Sequence, residues 1–99
     1  MPINPIQLHV DLEVDPAKET NLVETFHKVF QPTISRQPGF VSVTLLKARV
    51  SSAYRLVISF ETEEQRVAWV ATDDHQRVWP QIEANLTGAK FSGMLCQTL

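Results

Sequence analysis

Three histidines, two tryptophans and one cysteine are the side chains of this sequence best suited to chemistry. His75 is the first candidate for proton transfer, because a free imidazole titrates near pH 6.5 and accepts a proton at neutral pH. It recurs with Val78, Trp79, Ile82 and Leu86 at helical spacing, close to a helix start. A helix N-terminus and burial both favour its neutral form. The competing reading makes it a capping or rim residue. Trp69 and Trp79 each offer a broad apolar ring and one indole N–H donor, or serve simply as core. His9 alternates with Asp11 along one polar side, which reads as a hydrogen-bonding pair rather than a catalytic dyad. His27 falls off its helical stripe and is expected in solvent. Cys96 reads as a small buried hydrophobe, since no neighbour marks a lowered thiol pKa. A single cysteine excludes an internal disulfide and a cysteine-based zinc site, and three histidines without helical or hairpin pairing argue against any metal site.

The frame that must position these groups is small. Ninety-nine residues make a single domain, 1–99, and such a chain holds one modest core. The composition, 43% hydrophobic and 20% charged, is that of a soluble globule. Nine basic against eleven acidic residues give a net charge of −2, with no basic cluster for nucleic acid or an anionic membrane. The start, MPINPIQLHVDL, has no basic region followed by an apolar stretch, so no signal peptide is expected. No run reaches the roughly 18 apolar residues of a membrane span. A cytoplasmic location follows as the expectation.

Pro2 and Pro5 mark an extended lead-in. From Ile6 to Val14 the residues alternate strictly, with Ile6, Leu8, Val10, Leu12 and Val14 on one side, which predicts a strand. Asp15-Pro16 reads as a helix start. Leu22, Val23, Phe26, Val29, Phe30 and Ile34 form its apolar stripe. Pro32 is expected to kink that helix or end its first half, and Pro38-Gly39 terminates it. Phe40–Lys47 and Tyr54–Glu61 read as two further strands. Thr62 with Gln65 is a capping box for a second helix with Val67, Val70 and either Ala68 or Trp69 inward. Asp73 with Gln76 repeats the signature for a third, which Pro80 bends and Gly88 closes. Lys90–Leu99 is expected as the last strand. This order predicts an α+β, ferredoxin-like βαββαβ fold: a four-stranded antiparallel sheet with helices on one face.

The second sheet face then lies open. Phe40 and Leu46 point one way along the second strand, and Val41, Val43 and Leu45 the other. Some combination of valines, Met94 and Cys96 is left uncovered, an apolar patch that a homodimer would cover.

The run Pro38-Gly39-Phe40-Val41-Ser42, then Tyr54–Thr62 (YRLVISFET), then Trp69 and His75 resemble the antibiotic biosynthesis monooxygenase family of the dimeric α+β barrel superfamily. The resemblance runs from about Ile6 to Leu99. It implies two subunits joined through their sheets into a barrel, and a ligand pocket in each between sheet and helices. Members include cofactor-independent monooxygenases of polyketide phenols, quinol monooxygenases and heme-degrading enzymes. The heme-degrading branch uses an asparagine on the first strand, a tryptophan on the second helix and a histidine ten residues later. Here these positions fall on Val10 (or His9, one residue off), Trp69 and Trp79, and a tryptophan cannot ligate iron.

What the resemblance implies is therefore a monooxygenase needing no cofactor, acting on a small phenolic or quinol-type aromatic and O₂. His75 would act as base and Trp69 beside it as catalytic contact. Trp79, Phe26, Phe30, Phe60 and Val10 would complete the substrate pocket. Phe60 stands where many relatives have tryptophan. The alternative is a non-catalytic homodimer that binds a small hydrophobic ligand.

Overall fold

The structure is a computed structural model that describes residues 4–99, and of 89 and 90 the backbone alone. Pro2 lies outside the described residues. The first strand, β1 (Ile6–Val14), forms because its apolar residues fall on alternate positions. At its end Asp15 caps a short 3₁₀ turn, accepting the Ala17 N–H at 2.9 Å, with Pro16 at the first helical position. The chain continues as α1 (Glu19–Thr25), a π-helical turn over Phe26–Phe30, and α2 (Gln31–Ile34).

Pro32 does not end the helical path, which runs on through a π-turn just before it to Ile34. The wider turn ahead of it takes up the missing donor and the ring's crowding: Gln31 N–H bonds to the Phe26 carbonyl, five residues back. Thr33 Oγ1 donates to the Val29 carbonyl at 2.8 Å, which accounts for a buried polar residue on the inward side. Gly39, at φ +81°, then turns the chain into β2 (Phe40–Lys47), and β3 (Ala53–Phe60) returns beside it.

Thr62 caps α3 (Glu63–Val70), accepting the Gln65 N–H. The inward side of α3 differs from expectation. Trp69 alone is buried, at 3% exposure, while Val67 and Val70 are exposed at 52% and 37%. The large indole takes the core position, Val67 faces outward and Val70 stands at the margin of the helix's inner side. The cap of α4 (Asp73–Glu83) is Thr72, one residue earlier than expected, and its hydroxyl accepts the His75 N–H at 3.1 Å. Pro80 lies within α4, which ends well before Gly88. Leu86 therefore opens the last strand, β4 (Leu86–Gln97), and Gly88 (φ +61°) sits where the β1–β4 register shifts.

The sheet order is β2-β3-β1-β4 with every neighbouring pair antiparallel, the ferredoxin-like arrangement. Its inner face carries Ile6, Val10, Leu12, Tyr54, Leu56, Ile58 and Phe60, packed against Leu22, Phe26, Phe30, Ile34, Trp69, Val78 and Ile82.

One expectation about the strand faces changes. The β2–β3 register shifts between Phe40 and Ser42, so Phe40 pairs with the buried Phe60 while Leu46 pairs with Arg55 on the other side. Phe40 and Leu46 thus face opposite ways, because one extra residue in a strand inverts the parity beyond it. Val43 packs against the core. The outer face exposes Leu46 and Met94 and leaves Val57 and Cys96 partly exposed, interleaved with His9, Asp11, Arg55 and Ser92. Among the described residues no helix is long and apolar enough to cross a membrane.

Candidate active site

Between the inner face of the sheet and helices α3 and α4 lies a cavity of about 320 Å³. Its sheet side is made by Leu8 and Val10 of β1, Ile58 of β3, and Phe91 and Gly93 of β4. The register explains the set: Leu8 pairs with Ile58 and Leu95, and Val10 pairs with Gly93, so all project to one face. Gly93 contributes no side chain. A Cβ built there would stand 3.5 Å from Leu8 Cδ1, at ordinary contact, so nothing but this missing side chain keeps the spot open.

The helical side is aromatic. Phe30 meets Trp69 edge to face at 6.1 Å and Trp79 at 6.4 Å between ring centroids. His75 lies between the two indoles, edge-on to Trp69 and stacked on Trp79, which closes on Phe91 at 5.3 Å. Trp79 is half-buried where Trp69 is fully so, which leaves its ring on the rim. Such walls suit a planar aromatic guest.

His75 is half-buried, and its Nδ1 is shielded from solvent without a hydrogen-bond partner among the described residues. Burial pushes its pKa below the ordinary 6.5, because the charged imidazolium loses its hydration there. The result is a neutral ring with proton-accepting capacity at physiological pH.

Of the residues expected to build the site, His75, Trp69, Trp79, Phe30 and Val10 border this cavity. Phe26 and Phe60 do not. Phe26 stands a turn behind Phe30, stacked on it at 6.1 Å, and is buried. Phe60 sits at the end of β3 against Phe40, fully buried, while Ile58 two residues earlier reaches the wall. Val10, not His9, carries the inner position. His9 bonds to Gln7 at 3.0 Å on the outer face. There Asp11 makes an exposed ion pair with Arg55 at 2.8 Å, not a buried pair with His9. Cys96 is only partly covered, on the same face. His27 is exposed. Among the described residues no three His, Cys, Asp or Glu side chains converge on a metal-binding geometry.

Sequence reasoning missed Leu8, Ile58, Val70, Phe91, Gly93 and Arg66, which also border the cavity. The strand residues carried a signal in their shared parity with Val10. Arg66 carried one too, three residues before Trp69 and so on the same helical face. Its guanidinium is held by Glu63 through Nε and, at 3.0 Å, through Nη2. Those bonds hold the Glu63 carboxyl below the usual carboxylate range.

The family model for antibiotic biosynthesis monooxygenases matches residues 5–80. Among curated proteins none matches the chain. Several solved structures share the fold at low identity. A Bordetella bronchiseptica protein named after the antibiotic biosynthesis monooxygenases superposes with a TM-score of 0.86 at 19% identity, covering 97% of this chain and 98% of its own. A similarly named protein of Caulobacter crescentus gives 0.84 at 14% identity, covering 97% and 91%. SnoaB, a cofactor-independent oxygenase from Streptomyces nogalater, gives 0.80 at 19% identity, covering 93% and 90%.

Proposed function

The chain belongs to the antibiotic biosynthesis monooxygenase family, and from that premise we propose that it oxidises a small phenolic or quinol-type aromatic with O₂, without a cofactor. The observation that carries the reading is His75 held between Trp69 and Trp79 on the wall of the 320 Å³ cavity. The oxygenase likeness to SnoaB supports it as well.

The chemistry asks for a proton acceptor and a dry apolar box. The imidazole of His75 takes the phenolic proton. The electron-rich phenolate reacts with O₂ at a ring carbon and forms a peroxide, which recovers the proton from His75. Loss of that carbon's hydrogen to the base and cleavage of the O–O bond then release quinone and water. One phenol and one O₂ balance one quinone and one water. Trp69 and Trp79 hold the ring, and Phe30, Val10 and Ile58 exclude solvent.

The working unit in this reading is a cytoplasmic homodimer, in which a second copy covers the outer sheet face at Leu46 and Met94. Oxygen uptake with hydroquinones and an anthrone, without flavin or metal, tests the activity. A His75→Ala variant as active as the parent removes the base assignment. Ligand binding without uptake for any substrate favours the non-catalytic alternative.

A further inference from the structure

Among the described residues Arg66 is the one charged side chain bordering the otherwise apolar and aromatic cavity, and its side chain is only 19% exposed. A guanidinium so placed is costly unless its donors are met. Glu63 meets one edge, Nε and Nη2, and is itself 41% exposed, at the solvent side of the helix. The fork therefore has a second edge, at Nη1, that this carboxylate does not engage. Arg66 stands one helical turn before Trp69, so a ring lying on the indole would carry its substituents along that face toward the guanidinium. Among the described residues His75 and Arg66 together make the cavity's polar side chains: a neutral proton acceptor and a fixed cation.

We infer that Arg66 selects an aromatic carboxylate, so that the substrate is a phenol bearing a carboxyl group, with its hydroxyl at His75 and its carboxylate at Arg66. Arginine suits this task because its planar fork matches a carboxylate and keeps its charge when buried. Charge-assisted bonds from a partly buried guanidinium give discrimination that ring stacking alone does not. The inference rests on the same pocket as the proposed oxygenation, but its test is independent of turnover.

The probes are 2-naphthoate and its neutral isostere 2-naphthamide, which share the ring and differ in charge. Calorimetric titration of the full chain is expected to give about tenfold tighter binding of the carboxylate. Arg66→Gln is expected to abolish that preference while leaving amide affinity within about twofold. Arg66→Lys keeps the charge without the fork and is expected to retain part of the preference, which serves if the Gln variant is poorly folded. Equal affinity of the parent for both probes overturns the inference, as does a preference that survives Arg66→Gln. Failure to bind either probe at millimolar concentration overturns it together with the pocket. Absence of oxygen uptake with the carboxylate preference intact overturns only the oxygenase reading.

Discussion

His75 lies edge-on to Trp69, with ring centroids 5.1 Å apart and planes at 81°. Trp79 stacks on its other side at 6.2 Å and 17°. Two elements cooperate in this contact: Trp69 comes from α3, while His75 and Trp79 stand one turn apart on α4. The Thr72 cap between them sets where α4 begins, and so where His75 points. An imidazole held by indoles is positioned and desolvated at once, and among the described residues no carboxylate bonds to its ring.

Replacing His75 by leucine is therefore expected to separate activity from stability. Turnover should fall by about a hundredfold or more, the usual contribution of a general base. Stability should hold or rise by about 1 kcal/mol, because a buried nitrogen without a partner disappears. Oxygen uptake and urea unfolding on the same preparation measure both.

The pH dependence follows from the depressed pKa of His75. Because the unfolded chain takes up this proton first as the pH falls, the stability linked to this group is fully present above about pH 6.5. It is lost as the pH falls through the lower, folded-state value. The acid limb of kcat/KM should likewise lie below pH 6.5. Following the imidazole protons of His75 by NMR locates the midpoint, and a midpoint above 6.5 contradicts the burial argument.

Gly93→Val should close the cavity without harming the fold. The new Cβ meets Leu8 Cδ1 at ordinary contact distance, and valine favours a strand over glycine. Affinity for aromatic ligands should drop about tenfold or more, with the melting temperature unchanged or higher. A variant that binds as the parent does shows that the ligand lies elsewhere.

Phe60 and Trp79 should behave oppositely. Phe60→Ala removes a fully buried ring and is expected to destabilise by about 3–5 kcal/mol. The gentler Phe60→Leu should leave ligand affinity unchanged, since Phe60 does not border the cavity. Trp79→Ala should weaken binding strongly, with a smaller loss of stability because the ring is only partly buried. Chemical unfolding and calorimetry separate the two effects.

Sedimentation at micromolar concentration should give twice the chain mass of 11.2 kDa. Met94→Asp, at an outer-face position 66% exposed, should shift it to monomer, and a parent chain that sediments at the monomer mass refutes the pairing.

The alternation from Ile6 to Val14, the stripe from Leu22 to Ile34 and the Thr62–Gln65 cap made the element order and the ferredoxin-like fold legible in sequence. Each of these is local: period, capping and turn chemistry act within a few residues. The same periodicity put His75 and Trp79 on one stripe of α4 and left the inward place on α3 open between Ala68 and Trp69. Tertiary structure decided the rest. A one-residue irregularity between Phe40 and Ser42 reversed part of β2, and Trp69 took the core place on α3 while Val67 faced outward. Which inward residues border open space depended on the gap between two packed layers: Ile58 and Gly93 reach it, while Phe26 and Phe60 fill the core behind. Sequence encodes the face a residue presents. A cavity exists only where faces from distant segments meet and fail to fill the space between them.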